Sequence, residues 1–254
     1  MQPIQEVYSQ LVSPQQITIT THQKPDGDAM GSSLGLLHFL VAQGHQVRVI
    51  SPTNWADFLE WMPGIDQVFN FEQQKEKALQ WLDQSDWLFC LDFNVFHRTK
   101  HLAPYLAKAK AKKVLVDHHE QPDTPNFDYG ISLTSKSSTC EMIYDFIQAS
   151  PKPELLNPNM AACLYTGVMT DTGSFRFAST GASVHRMVAT LKETGFNHTD
   201  VHNQIYDNFL ESRLRFIGFV LTSRMEVFYE YNTALMYISQ KDLQDYHIKT
   251  GDTE

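Results

Sequence analysis

The chain has 254 residues, of which 42% are hydrophobic and 19% charged, and its formal net charge at pH 7 is −9. This composition is typical of a globular protein, and the length suits one large domain or one domain with part of another. The negative charge argues against a long nucleic-acid track, which needs many Lys and Arg contacts to phosphates, but allows a small anionic substrate held by metal ions.

Strand and helix patterns alternate up to about residue 195. Strands are predicted at 16–21, 46–51, 67–71, 87–93, 113–117 and 127–132, and helices at 29–42, 72–82, 99–111, 138–148, 158–169 and 181–192. The runs WLFCLDF and KVLVDHH are apolar almost to their ends, which is typical of strands buried on both faces of a parallel sheet. The alternation predicts an α/β fold with a doubly wound parallel sheet.

The pattern changes after Gly195. Residues 197–224 have a helical pattern, and residues 225–239 alternate as a strand pair with a turn near Tyr231-Asn232-Thr233. We therefore predict a catalytic domain over residues 1–195, a helical connector over 196–224 and the beginning of a smaller α/β domain over 225–254.

No apolar run approaches the roughly 18 residues that a membrane span requires, and the amino terminus lacks the pattern of a signal peptide. Cys90, Cys140 and Cys163 lie in apolar stretches, where we expect buried free thiols. These features predict a cytoplasmic protein without a membrane partner.

Acidic and imidazole side chains follow several predicted elements. The carboxyl ends of parallel strands lie at one edge of a sheet, and ligands bind outside that edge in open α/β folds. We therefore expect the side chains to converge there. The candidate metal ligands are His22, Asp26, Asp28, Asp92, His118 and Asp171.

Carboxylates crowded in this way repel one another unless protons or cations lie among them. Four carboxylates and two imidazoles are too many for one tetrahedral zinc site, but they suit two oxygen-rich ions with one nitrogen ligand each. Mn²⁺ fits this mixture best, with Mg²⁺ or Co²⁺ next. Two ions about 3.5–4 Å apart would clamp a phosphoryl group and share a hydroxide nucleophile. Asp92 stands alone at its strand end and is the expected bridge between the ions.

Other interpretations of single residues remain open. Asp28 could cap a helix that begins at Ala29, and Asp117 could be a structural acid that bonds to backbone or orients a histidine. The chain contains neither GxxxxGK[ST] nor GxGxxG, so the common nucleotide-fold fingerprints are excluded.

Four segments resemble, in order, the motifs of the DHH phosphoesterases. They are HQKPDGDAMGS at 22–32, LDF with Asp92, VDHH at 116–119 and TDTGSFRF at 170–177. The resemblance spans roughly residues 15–250 and implies that His22 and Asp26 hold one ion. It implies that Asp28, His118 and Asp171 hold the other ion, that Asp92 bridges the two, and that Asp117 fixes an imidazole tautomer.

The resemblance also implies substrate contacts. His119 would contact the scissile phosphate rather than a metal, and would stabilise developing charge. Arg98 would bind a phosphate oxygen, and Ser32 and Ser33 would contribute at the start of the following helix. The chain is most similar to the DHH–DHHA1 branch, which hydrolyses very short oligoribonucleotides and the 3′-phosphate of adenosine 3′,5′-bisphosphate.

The second domain of that branch normally carries a Gly-Gly-His stretch, which this sequence lacks, so we expect an incomplete second domain. Its unpaired strand edge would favour a homodimer. Two further functions remain open. One is hydrolysis of phosphoanhydrides such as pyrophosphate, although only Lys241 and Lys249 follow residue 225 as a cationic clamp. The other is nucleotide binding with little turnover.

Overall fold

A sheet of seven parallel strands lies at the centre of the computed structural model, which describes residues 1–207 and 211–248. All the strand pairs of this sheet are parallel. The strands, in chain order, are β1 (Gln2–Pro3), β2 (Gln16–Thr20), β3 (Gln46–Ser51), β4 (Val68–Asn70), β5 (Trp87–Leu91), β6 (Lys112–Asp117) and β7 (Tyr129–Ser132).

Helices cover both faces of this sheet. In chain order, the helices up to residue 202 are α1 (Gly27–Ala42), α2 (Lys75–Asp83), α3 (Ala103–Lys108), α4 (Thr139–Gln148), α5 (Pro158–Asp171), α6 (Ala182–Glu193) and α7 (His198–His202). Residues of α1, α4, α5 and α6 share one buried apolar cluster, and residues of α2 and α3 share a second. This arrangement confirms the predicted α/β fold with a doubly wound parallel sheet.

Strand β5 shows how the sequence pattern produces two cores. Phe89 packs in the first cluster, whereas its neighbours Leu88 and Cys90 pack in the second. Successive side chains of a strand point to opposite faces, so a strand with helices on both sides must be apolar at every position. All five residues of β5 are buried.

The order of the strands across the sheet is β1-β7-β6-β5-β2-β3-β4. From β2 the chain moves outward to β3 and β4, then returns to the other side of β2 with β5 and continues outward to β6 and β7. The order therefore reverses between β2 and β5. In open α/β sheets this reversal leaves a crevice at the carboxyl ends of the two strands, where ligands bind.

Three differences from the predicted elements have physical causes. The fourth predicted strand ends at Leu91 rather than residue 93, because Asp92 has a left-handed backbone with φ of 63°. The predicted helix at 99–111 is divided into a 3₁₀ segment, Phe96–Leu102, and the short helix α3, which has a proline in its first turn. Strand β1 has only two residues, too few for a recognisable pattern.

The carboxyl-terminal part contains the predicted strand pair. Helix α8 (Glu211–Ser223) leads into β8 (Met225–Phe228), and β9 (Thr233–Met236) pairs with β8 antiparallel before α9 (Gln240–Asp245). Left-handed Asn232 lies in the turn. Among the described residues, β8 and β9 pair only with each other. The homodimer that was expected from an unpaired strand edge stays a prediction.

The predicted helical region 197–224 contains α7, a π-helical turn (Asn203–Asp207) and α8, and its residues 208–210 lie outside the described part. Residues 249–254 of the predicted second domain also lie outside it. The three cysteines are free and buried, as predicted. Within residues 1–207 and 211–248, no helix combines the length and apolar character that a membrane crossing requires.

Helices α1, α4 and α5 approach one another closely because glycines lie at their crossings. A Cβ atom on Gly31 of α1 would lie 2.5 Å from the Cys163 carbonyl oxygen of α5 and 2.9 Å from the Cys140 sulphur of α4. A Cβ atom on Gly167 of α5 would overlap the same sulphur and lie 2.8 Å from Asp28 Oδ1. The close packing brings the starts of α1 and α4 to the end of α5.

Replacement of Gly167 by alanine should therefore lower the free energy of unfolding by about 1–3 kcal/mol, because the added methyl group has no space. Urea denaturation measures this loss. The control is Gly218→Ala in α8, where no atom lies within 4 Å of the added Cβ and alanine should be neutral or stabilising. Unchanged stability of Gly167→Ala would show that these helices do not depend on the close approach.

Candidate metal centre

The loop after β2 directs two carboxylates in different directions. Asp26 is the N-cap of α1, and its Oδ1 accepts hydrogen bonds from the backbone N–H groups of Asp28 and Ala29, both at 3.0 Å. Helix α1 begins at Gly27, so the alternative in which Asp28 caps a helix starting at Ala29 is wrong. The cap leaves Asp26 Oδ2 facing the imidazole of His22, with a distance of 3.7 Å to Nε2.

Asp92, immediately after β5, lies between two imidazoles. Its Oδ2 is 3.3 Å from His22 Nε2, and its Oδ1 is 3.4 Å from His118 Nε2. The carboxylate is almost fully buried, with 2% of the residue exposed. Its left-handed backbone is uncommon outside glycine, although Asp and Asn adopt it more readily than other residues. Each oxygen of one carboxylate thus faces a different histidine.

A second group of ligands collects around His118, at the end of β6. Its Nε2 is 3.5 Å from Asp171 Oδ2 and 3.8 Å from Asp28 Oδ2. Asp171 is the last residue of α5, two residues beyond the predicted end of the helix, and Asp28 is completely buried in the first turn of α1. The structure therefore brings all six predicted ligands together, as two triads: His22, Asp26 and Asp92, and Asp28, His118 and Asp171.

The donor set of imidazole nitrogens and carboxylate oxygens is suited to divalent metal ions. The separations of 3.3–3.8 Å between imidazole nitrogens and carboxylate oxygens exceed the usual hydrogen-bond range of about 2.7–3.2 Å. Ligand atoms that share one ion, with bonds of about 2.1 Å, lie roughly 3–4 Å apart. Asp92 faces the imidazole nitrogen of each triad. A third possible group, which joins Asp92, His118 and His119, overlaps these two.

Without cations, the cluster compensates its charge by retaining protons. Burial lowers the pKa of His22, but Asp26 and Asp92 outweigh burial and raise it to about 10. Burial also lowers the pKa of His118, but Asp92 and Asp28 outweigh burial and raise this pKa to about 9. Burial and the charge of Asp92 raise the pKa of Asp171 to about 7. Cations at these positions would replace the protons.

The pKa values of Asp28 and Asp92 are shifted in opposite directions. Burial, followed by the charges of Asp92 and Asp171, raises the pKa of Asp28 well above its usual value. Burial also opposes ionisation of Asp92, but its close polar contacts with His118 and His22 and the positive charges of those imidazoles outweigh burial and hold the pKa of Asp92 below its usual range. Asp92 therefore stays ionised more readily than Asp28 or Asp171.

Backbone and carboxylate partners orient two of the imidazoles. The Nδ1–H of His22 donates to the Gln23 carbonyl at 2.8 Å, which leaves the Nε2 lone pair towards the carboxylates. His119 Nδ1 lies 2.8 Å from Asp117 Oδ1, and Asp117 Oδ2 accepts the His119 backbone N–H at 3.2 Å. Asp117 thus bonds to His119 rather than to a predicted metal ligand. The His119 side chain is 36% exposed, so its Nε2 is available to a substrate.

The other predicted substrate contacts lie in different environments. The Arg98 carbonyl accepts the Gln23 backbone N–H at 2.8 Å, so the two loops after β2 and β5 are joined beside His22. Ser32 and Ser33 are completely buried, and their hydroxyls donate to carbonyls of α1, that of Ser32 to Asp28 and that of Ser33 to Ala29. This burial argues against the expected contact between Ser32 and a substrate, since its hydroxyl is already used inside the helix.

Sequence reasoning missed the contribution of α4. Ser138 caps this helix, and the backbone N–H groups of Thr139 and Cys140 donate to the two oxygens of Asp28 at 2.6 and 2.8 Å. The Thr139 hydroxyl donates to Asp92 Oδ1 at 3.0 Å. The available signal was the segment S-T-C-E at 138–141, in which Ser and Glu have the spacing of a capping box. Nothing in that segment indicated which residues the helix start would face.

Comparisons with known proteins agree on one family. The model of the DHH family, N-terminal domain, matches residues 16–168. The bifunctional oligoribonuclease and PAP phosphatase NrnA of Thermus thermophilus is 30% identical over 211 residues, which are 81% of this chain and 57% of that protein. The protein of the same name from Bacillus subtilis is 28% identical over 195 residues, covering 75% of this chain and 57% of that protein.

A solved structure extends the similarity over nearly the whole chain. The exopolyphosphatase-related protein from Bacteroides fragilis has a TM-score of 0.94 and 33% sequence identity, and the match covers 98% of this chain and 73% of that one. The present chain thus spans a little more than half the length of the two curated relatives and about three quarters of the solved structure.

Divalent cations should bind this site more tightly as the pH rises from about 6 to 9, because they must displace protons from raised-pKa groups such as Asp171 and His118. Titration calorimetry with Mn²⁺ in buffers of different ionisation enthalpy measures the protons released. His38→Asn is the control and should leave the release unchanged, since that imidazole hydrogen-bonds to the Pro63 carbonyl in a different part of the fold. Binding without proton release would contradict the proposed ligand set.

Proposed function

This chain belongs to the DHH family of metal-dependent phosphoesterases, and we propose that its site uses two divalent cations to hydrolyse phosphate esters of short nucleotides. The observation that carries the proposal is the position of Asp92, whose two oxygens face the imidazoles of two separate ligand triads. One such carboxylate is the minimal link between two ions that act on one phosphoryl group.

Electrostatics supports the requirement for cations. The cluster contains four carboxylates in a protein of net charge −9, and without cations its retained protons only balance that charge. Bound cations would make the local charge positive, polarise the phosphoryl oxygens and lower the pKa of water for attack. Phosphate binding should therefore depend on the cations, and we assign Mn²⁺ as the best fit to ligands of mixed oxygen and nitrogen character, with Mg²⁺ or Co²⁺ as substitutes.

Each triad has an assigned task in this proposal. His22 and Asp26 hold one cation, and Asp28, His118 and Asp171 hold the other, while Asp92 contributes to both. The hydrogen bonds already described leave the required atoms free, because the Asp26 cap uses Oδ1 and leaves Oδ2, and the bond from His22 Nδ1 leaves Nε2. The ligands are therefore oriented before a cation binds.

His119 is the proposed contact to the scissile phosphate. Its Nδ1 is occupied by Asp117, so Nε2 is the atom that can donate to a phosphate oxygen and stabilise the charge that develops there. Asp117 is completely buried and holds both the ring and the backbone N–H of His119, which fixes the direction of the imidazole. Asp117 thus positions His119 and does not contact the substrate.

Arg98 is proposed as a second phosphate contact. Its residue is half-buried, and its guanidinium forms no hydrogen bond or ion pair within residues 1–207 and 211–248. The bond from the Gln23 N–H to the Arg98 carbonyl joins this loop to the residue after His22. A cation without a carboxylate partner at this position remains available to bind an anionic substrate.

The substrate class follows from the relatives and from the charge. Two curated relatives are named as oligoribonucleases and PAP phosphatases, and we propose the same classes of substrate for this chain. A net charge of −9 does not favour contacts along a long nucleic acid, so a dinucleotide or adenosine 3′,5′-bisphosphate fits better. In this proposal, residues 1–195 form the catalytic domain, 196–224 the connector and 225–254 the beginning of the domain that selects the nucleotide.

Asp92→Asn should lower Mn²⁺-dependent hydrolysis of a diribonucleotide by on the order of a hundredfold or more, because it removes the shared charge. Asparagine is preferred to alanine, since it tolerates the left-handed backbone at this position. Asp83→Asn, an exposed carboxylate at the end of α2, is the matched control and should retain wild-type turnover.

Parallel assays on the wild-type chain separate the competing functions. Release of phosphate from pyrophosphate but no product from a dinucleotide or adenosine 3′,5′-bisphosphate would indicate a phosphoanhydride hydrolase. Tight nucleotide binding without product would indicate a binding module. Wild-type turnover by Asp92→Asn would contradict the two-cation proposal.

A further inference from the structure

The amino-terminal end of α4 lies against the carboxylates of both triads. The Thr139 N–H donates to Asp28 Oδ2 at 2.6 Å, and the Cys140 N–H donates to Asp28 Oδ1 at 2.8 Å. The Thr139 hydroxyl donates to Asp92 Oδ1 at 3.0 Å. One residue, Thr139, therefore contacts the proposed bridging carboxylate and a ligand of the second triad.

The contact to Asp92 restrains the carboxylate in one orientation. A hydroxyl that donates to Oδ1 uses one lone pair and leaves the second lone pair of Oδ1, and both lone pairs of Oδ2, for other partners. Among the described residues, this hydroxyl is the side-chain group that donates a hydrogen bond to Asp92. The imidazoles of His22 and His118 lie farther away, at 3.3 and 3.4 Å. Because Asp92 follows directly after β5, the hydroxyl links the strand end to α4, and rotation of the carboxylate would break that link.

A buried network holds Thr139 in place. The Ser138 hydroxyl caps α4 by accepting the Glu141 N–H at 3.0 Å. The Glu141 carboxylate in turn accepts hydrogen bonds from the N–H and the hydroxyl of Ser137, at 3.0 and 2.9 Å, and from the Ser183 hydroxyl at 2.8 Å. Glu141 is only 3% exposed, and its bonds to Ser137 are buried. The bond from Ser183 joins the start of α4 to the start of α6.

We propose that Thr139 is a positioning residue that orients Asp92 as the shared ligand of two cations. The inference rests on the proposed function and adds the residue that fixes its geometry. The hydroxyl holds Oδ1 towards His118 and thereby directs Oδ2 towards His22. Loss of the hydroxyl frees the carboxylate to turn, which weakens the binding of both cations and disrupts the bridge between them. The backbone contacts to Asp28 remain, because a side-chain substitution leaves the N–H groups intact.

The test compares Thr139→Val, which removes only the hydroxyl at nearly constant volume, with Thr139→Ser, which keeps the hydroxyl. Titration calorimetry should show that Mn²⁺ binds the valine variant about 10–100-fold more weakly than it binds the wild-type chain. Electron paramagnetic resonance at saturating Mn²⁺ should show that the exchange coupling between two bridged ions is reduced or lost in this variant. Both properties should be restored in the serine variant.

Two further variants control for folding. Thr18→Val removes an equally buried hydroxyl whose partner is Ser85 rather than a carboxylate, so Mn²⁺ binding and coupling should match the wild-type chain. Thr139→Ala also lacks the hydroxyl but has a smaller side chain, and it replaces the valine variant if thermal unfolding shows that valine prevents folding.

The outcomes separate this inference from the proposed function. A wild-type chain that binds fewer than two Mn²⁺ ions overturns the two-cation function itself. A wild-type chain with two coupled ions, together with valine and alanine variants that bind and couple them equally well, overturns only the role of Thr139. Weaker binding and lost coupling in Thr139→Val, with recovery in Thr139→Ser, supports it.

Discussion

The central physical constraint in this structure is that one buried carboxylate, Asp92, contacts two imidazoles at once, one with each oxygen. Its oxygens lie 3.3 and 3.4 Å from His22 and His118, and those histidines follow different strands. The geometry requires β2, β5 and β6 to be adjacent, which the sheet order provides. It also requires the reversal of strand order between β2 and β5, because that reversal opens the crevice in which the three side chains meet.

Packing around this crevice has to overcome the repulsion of the carboxylates. Glycines allow α1, α4 and α5 to approach closely, which places Asp28 against the start of α4 and Asp171 at the end of α5. In the absence of cations, the raised pKa values of His22, His118, Asp28 and Asp171 show that protons supply the missing positive charge. The fold therefore holds a site whose charge can be balanced by protons or by divalent cations, and divalent cations would also polarise a phosphoryl group.

Most strands and helices could be predicted from the local hydrophobic pattern of the sequence. Strands such as β5 are apolar throughout, and the acidic residues at their ends mark the edge of the sheet. The six candidate ligands could be located for the same reason, together with the motif order. The order of strands was not predictable, since it depends on pairing between distant segments. The contacts of Thr139 could not be predicted because they join it to Asp28 and Asp92, 111 and 47 residues away, and local sequence shows only a helix cap. Ser32 was misjudged because its position at a helix start did not reveal that its hydroxyl bonds within the helix.

The most direct test of this account is anomalous scattering from a crystal of the chain soaked in Mn²⁺, recorded at the manganese edge. The account predicts two peaks about 3.5–4 Å apart, on either side of the Asp92 carboxylate, with His22 at one and His118 at the other. A single peak with tetrahedral ligands, or two peaks that do not share Asp92, would contradict it.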